Sequence, residues 1–238
     1  MRLKQANEQL IAHDKMQKEF INIAAHELKT PIQPILSLTE LLRSQIKDLK
    51  QQELLEITIR NAKRLLRLSN DILDVAKIEG RSLELNKEEF NLNEVVMNAI
   101  TDLTSGRDFL NEKINLSYNR DRDFRVKADK GRISQVISNL LSNAIEFTPE
   151  GTILVSIEKD KINNNNGAII VSVKDSGQGI DPSILARLFT KFTSRSYKGT
   201  GLGLFISKGI IEAHGGKIWC ENNPDDIGAK FSFSLPTS

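Results

Sequence analysis

Residues 21–49, INIAAHELKTPIQPILSLTELLRSQIKDL, place Ile21, Ala25, Leu28, Ile32, Ile35, Leu42, Ile46 and Leu49 at alternating steps of four and three, missing only at Thr39. That spacing is a heptad seam and predicts an amphipathic helix with a helical partner. A second run, Leu55, Ile59, Ala62, Leu66, Leu73 and Ala76, repeats it, and Leu54, Leu65, Leu68, Ile72 and Val75 widen its apolar face. The first glycine is Gly80, and before it only Pro31 and Pro34 interrupt a composition dominated by Leu, Ile, Ala, Lys, Glu and Gln. The two runs read as one helical hairpin turning near 47–52. A lone two-helix hairpin cannot cover faces this wide, so two copies are expected to pair as a four-helix bundle, making the protein a homodimer. Upstream, Leu3, Ala6, Leu10, His13, Gln17 and Phe20 keep heptad spacing in an offset register. This reads either as a coiled-coil entry helix that transmits a signal or as a frayed helix start.

After Gly80 the pattern changes to short alternating segments. Strands are expected at 83–90, 113–118, 124–128, 152–158, 168–174, 217–221 and 229–235, and helices at 93–107, 131–147 and 203–213. The run Asn163–Asn166 with Gly167 is a polar hairpin loop. The chain therefore divides into an all-α part, 1–82, and an α+β sandwich, 83–238, with helices on one face of a mixed sheet.

Composition narrows the function. Lys and Arg number 33 against 31 Asp and Glu, a net charge of +2, so no strong field of one sign draws nucleic acid or anionic lipid. Cys220 is the only cysteine, which excludes an internal disulfide and a zinc site built on thiolates. No apolar run approaches the roughly 18 residues a membrane span needs, and the first twenty residues lack a signal peptide's apolar core. A cytoplasmic location is the expectation.

Several residues carry chemistry. With the seam at zero on a helical wheel, His26 falls about 140° away, Thr30 about 180° and Glu27 about 240°, so all three face outward. A neutral imidazole is a competent nucleophile at physiological pH, and Glu27 beside it can accept or orient its proton. Pro31 is expected to break or kink the helix just beyond. Asn139 and Asn143, four apart on a helix, project two amides from one face as oxygen ligands for a hard cation and phosphate would. Asp175-Ser-Gly177-Gln-Gly179 follows a strand, offering a carboxylate for an exocyclic amine and glycines that let a planar base approach the backbone. Gly199-Thr-Gly201-Leu202-Gly203 opens a helix whose N–H groups suit phosphate oxygens, without the G-x-G-x-x-G spacing of a dinucleotide fold.

Taken together, FINIAAHELKTP (20–31) resembles the H box of sensor histidine kinases, NLLSNA (139–144) their N box, DSGQG (175–179) their G1 box, LFTKF (188–192) their F box and GTGLGL (199–204) their G2 box. The order and separations match too. The resemblance implies a dimerisation and histidine-phosphotransfer domain followed by an ATP-binding domain of the Bergerat (GHKL) fold. It implies that His26 takes the γ-phosphoryl of ATP and passes it to an aspartate of a response regulator receiver domain. By position it makes Glu27 the base assisting His26, and Thr30 the residue that positions water for dephosphorylating the regulator. Asn139 becomes the Mg2+ ligand, joined by Asn143 at the phosphates, and Asp175 the adenine reader. Gly177 and Gly179 shape the base pocket, while Gly201 and Gly203 sit by the phosphates, with Gly199 and Leu202 in the same segment. Phe189 and Phe192 anchor the lid, and Lys191, Arg195 and Lys198 supply cations, Arg195 being placed to neutralise transition-state charge.

Two features depart from the family. Glu146 stands where the N box commonly carries a phosphate-contacting lysine, and a carboxylate there repels triphosphate unless a cation intervenes. This opens the alternative of a catalytically weak dimeric scaffold that docks a response regulator. A GHKL ATPase releasing phosphate to water is a further rival, and it leaves the His26 helix unexplained. The chain also begins in the coiled helix with no sensor domain, so sensing is expected from an upstream domain or a separate sensor protein.

Overall fold

The computed structural model describes residues 2–104, 113–120, 122–160, 167–193, 200–224 and 227–237, with the side chains of 2–20, 22, 25 and 26 excepted. The chain divides into two compact units, Met1–Ser82 and Leu83–Ser238.

The first unit is a hairpin of α1 (Arg2–Gln45) and α2 (Leu49–Glu79). Asp48 caps α2 by accepting from the Gln51 N–H at 3.0 Å, and Gln52 Nε2 donates to the Ile46 carbonyl at 2.7 Å. Capping at Asp48 ends the turn earlier than the expected 47–52, because the helix can restart as soon as its first N–H groups have an acceptor. α1 also runs unbroken through Pro31 and Pro34, against the expected break. Each proline still withholds one N–H, so the carbonyls of Glu27 and Thr30 receive none from these positions.

The heptad seam is shared between two surfaces. Ile32 and Thr39 are buried with Ile59, Ala62, Ser69 and Ala76 of α2, whereas Leu28, Ile35, Leu38, Leu41 and Leu42 of α1 are exposed, as are Leu54, Ile57, Leu65 and Ile72 of α2. Thr39, the polar member of the seam, donates to the Ile35 carbonyl at 2.6 Å, so its hydroxyl is satisfied within its own helix. Lys63 meets Glu40 at 2.9 Å across the hairpin, an exposed pair contributing at most about 1 kcal/mol.

The second unit holds β1 (Glu88–Asn91), α3 (Leu92–Thr104), β2 (Ile114–Asn119), β3 (Arg125–Ala128), α4 (Lys130–Phe147), β4 (Gly151–Lys159), β5 (Ala168–Asp175), α5 (Pro182–Leu185), α6 (Gly203–Ala213), β6 (Ile218–Asn222) and β7 (Ala229–Pro236). Five strands form one sheet in the order β2-β4-β5-β7-β6, with β2 parallel to β4 and the other pairs antiparallel; β1 and β3 form a separate antiparallel pair. Ile153, Val155 and Ile157 of β4, Ile169, Val171 and Val173 of β5, and Phe231, Phe233 and Leu235 of β7 are buried on one sheet face, against which α4 and α6 pack. The unit is thus the α+β sandwich with a mixed sheet. β1 is shorter than the expected 83–90, because only Glu88–Asn91 finds a partner, in β3. α5 was not expected; Asp181 caps it at Ser183 N, 2.8 Å, with Pro182 at its first position. The expected end of α3 at 107 and the 163–166 loop lie outside the described residues.

The ends of α4 and α6 are tied by His214, only 5% exposed. Its Nδ1 lies 2.8 Å from the Ile210 carbonyl and so carries the proton, while Nε2 accepts from the Asp129 N–H at 3.0 Å. Asp129 in turn caps α4 at Arg132 N, 3.0 Å. Burial pushes the His214 pKa below 6.5, reinforced by Lys87 and opposed by the Ile210 bond and Asp129. The imidazolium would set two N–H groups against each other at Asp129. As pH falls through 6.5 the unfolded chain therefore takes a proton that the folded chain refuses, and stability drops. One proton limits this to about 1.4 kcal/mol per pH unit. Urea unfolding of the full chain between about pH 7.5 and about pH 5.5 should show the slope, and His214→Gln should flatten it.

Candidate active site

Glu27 and Thr30 are exposed on α1, which matches the outward direction read from the heptad. The His26 backbone is helical, and its side chain lies outside the described residues.

In the second unit the 175–179 loop is assembled around Asp175, the last residue of β5. Its Oδ1 accepts from Gly177 N at 2.9 Å and Ala229 N at 3.2 Å, and its backbone carbonyl accepts from Asn223 Nδ2 at 2.8 Å. Burial raises the Asp175 pKa, against the pull of those two N–H groups. With Oδ1 engaged twice, Oδ2 is the oxygen left to accept from a ligand amine. Gly177 is packed so closely that a Cβ would come within 2.2 Å of the Phe147 carbonyl oxygen. Gly179 sits at φ +74, and Asn222 grips the next residue, accepting from Ile180 N at 2.7 Å and donating to Ile180 O at 2.8 Å. The Thr148 hydroxyl beside Gly177 is fully buried with no protein partner among the described residues. Since an orphaned buried hydroxyl costs about 1–3 kcal/mol, Thr148→Val should raise the unfolding free energy by about 1–2 kcal/mol in denaturant melts. A decrease would show that the hydroxyl is hydrogen-bonded in solution.

Asn139 and Asn143 are half-buried on α4, one turn apart. Asn139 Nδ2 donates to Ser207 Oγ at 2.9 Å, and a Cβ at Gly203 would stand 2.3 Å from Asn139 Oδ1. Gly203 is the first residue of α6, and Leu202 before it provides no side-chain cap. The Asn139 amide thus lies beside the first residue of α6, a helix terminus suited to anionic oxygens. Gly201, at φ +68, lies against the Phe192 backbone and accepts from Phe192 N at 3.0 Å. Lys191 Nζ lies 5.9 Å from the Phe205 ring centroid, which joins this segment to α6. Phe189 is half-buried, whereas Phe192 is 75% exposed and so is not anchored by burial as expected. Glu146 is exposed on the last turn of α4. Arg195, Lys198 and Gly199 lie outside the described residues. Ser207, Asn222, Asn223 and Thr148 were not singled out in the sequence; no short motif marks them.

Among the described residues no group of three or more His, Cys, Asp or Glu could hold a metal ion. The oxygen donor at hand is the Asn139 amide, so a Mg2+ fits here only as a cation brought largely by its phosphates.

Fold and site together define a GHKL-type ATPase domain following a helical hairpin. Residues 128–238 match the family model described as histidine kinase-, DNA gyrase B-, and HSP90-like ATPase, and residues 16–81 match the His Kinase A (phospho-acceptor) domain. The sensor protein GacS of Pseudomonas syringae pv. syringae is 34% identical over 237 residues, covering 97% of this chain and 26% of that protein. The chain thus spans about a quarter of that relative's length. Among solved structures, full-length ShkA in complex with AMPPNP aligns with a TM-score of 0.70 and 26% identity over 91% of this chain and 45% of that one. The catalytic domain of histidine kinase ThkA aligns with a TM-score of 0.54 and 37% identity over 65% of this chain and 97% of that one. The chain belongs to the sensor histidine kinase family.

Proposed function

We propose that this chain is the cytoplasmic kinase core of a two-component sensor, with residues 1–82 the dimerisation and phosphotransfer domain and 83–238 the ATP-binding domain. The observation that carries the reading is the Asn139 amide held at the uncapped start of α6, in the same domain as a half-engaged Asp175. Asp175 Oδ2 accepts from the adenine amine, Gly177 and Gly179 admit the ring, and α6 offers its first N–H groups to the phosphates. Lys191, Arg195 and the segment 199–203 complete the phosphate side. The magnesium ion that accompanies ATP would be held by Asn139 and would offset phosphate charge. His26 attacks the γ-phosphorus: an N–P bond forms, the bond to the β-bridging oxygen breaks, and ADP leaves while Glu27 takes the imidazole proton. The phosphoryl then passes to an aspartate of a receiver domain, and Thr30 orients the water that hydrolyses that aspartyl phosphate to free phosphate in the separate phosphatase reaction. The exposed apolar faces of α1 and α2 support a homodimer.

Incubation with ATP labelled at the γ-phosphate and Mg2+ should leave an acid-labile, alkali-stable phosphate on the protein. Phosphate released to water with no protein label would instead indicate a plain ATPase. No nucleotide binding at about millimolar ATP in calorimetry would favour the regulator-docking scaffold that Glu146 suggests.

A further inference from the structure

We propose that Ser207 is a positioning residue for phosphoryl transfer: it anchors the Asn139 amide to α6 and so holds it in place beside the phosphate site. An asparagine amide has two ends of nearly equal shape and opposite chemistry, an oxygen that can face a cation and an NH2 that cannot. Which end points where is decided by its neighbours, and here both neighbours lie on α6. Ser207 Oγ takes Nδ2 at 2.9 Å, and Gly203, one turn earlier on the same helix face, lies against the whole amide group, nearest its Oδ1. The nitrogen is thereby drawn along α6 and the oxygen is set at its first residue, where no side chain caps the helix.

The bracket is buried and tied at its other end. Ser207 is 2% exposed, and the far ends of α4 and α6 are tied through the Asp129 N–H and His214. A serine suits this position because its side chain is short and its oxygen can accept. Alanine offers neither end of the amide a partner, which frees it to rotate out of the orientation that presents its oxygen to a cation. The inference rests on the proposed ATP site and adds to it a residue beyond the glycine-rich segment.

The test uses the full chain as wild type, Ser207→Ala, Asn139→Ala and the double variant. ATP affinity is measured by calorimetry with excess Mg2+ and again in chelator. Ser207→Ala should weaken binding about tenfold with Mg2+ and less than about twofold without it, because only the cation reads the amide's orientation. Metal-free affinity also confirms that each variant is folded. On the Asn139→Ala background the serine change should add nothing, as a double-mutant cycle through one contact requires. Equal losses with and without Mg2+, or full additivity in the double variant, would make Ser207 a packing residue and overturn the proposal. If wild type neither binds ATP nor acquires label, the kinase reading itself has failed and takes this proposal with it. Wild-type labelling with an unaffected Ser207→Ala variant sinks the positioning role alone.

Discussion

Replacing His26 with glutamine should reduce phosphate uptake by the protein to background while leaving ATP affinity within about twofold of wild type. Glutamine keeps a polar, helix-compatible side chain on α1 but has no ring nitrogen to form the N–P bond. The proposed ATP-binding groups, Asn139, Asp175 and the start of α6, all lie in the other compact unit. The chain has three histidines, and the structure removes one rival: both nitrogens of His214 are engaged, and it is buried. Radiolabel surviving in the variant would remove His26 from the mechanism. Mixing His26→Gln with Asn139→Ala protomers also reads the geometry of transfer. Label appears in the mixture only if phosphate crosses between the two chains of a dimer.

Gly177→Ala should weaken ATP binding about a hundredfold. The added Cβ would stand 2.2 Å from the Phe147 carbonyl oxygen and 2.9 Å from its carbon. Both are backbone atoms in the last turn of α4, so no side-chain rotation relieves the clash and the 175–179 turn has to move. Moving it breaks the Gly177 N–H bond that orients the Asp175 carboxylate. Overpacking with loss of one buried hydrogen bond costs about 2–3 kcal/mol, which corresponds to the stated change in affinity. Calorimetry with ADP tests it without turnover. An unchanged dissociation constant would show that the base does not bind against this turn.

Local signals in the sequence reached some of this and stopped at others. The two heptad runs each gave their own helix, because a period of three and four is set by one helix's own geometry. It could not tell that Ile32 and Thr39 face α2 while Ile35 and Leu42 do not, since periodicity locates an apolar face but not the partner covering it. The expected strand at 83–90 was too long for a related reason: pairing with β3 sets its length, and that pairing is remote in sequence. In the proposed site, the glycines and asparagines could be picked out because they stand in short local motifs that resemble the family's boxes. Ser207 meets Asn139 across 68 residues, Asn222 meets Ile180 across 42, and Ala229 meets Asp175 across 54. Their contacts exist only once β6, β7 and α6 are folded beside the 175–179 loop.

The unbroken passage of α1 through two prolines has a mechanical consequence. A helix of 44 residues is a beam about 66 Å long, whose resistance to bending comes from its ladder of N–H to carbonyl ties. Pro31 and Pro34 omit the ties to Glu27 and Thr30, within two turns of one another. Load applied at the Arg2 end therefore does not spread evenly along the beam. It concentrates in the compliant span 27–34, so the tilt of the stretch just beyond His26 is the coordinate of α1 that costs least to change.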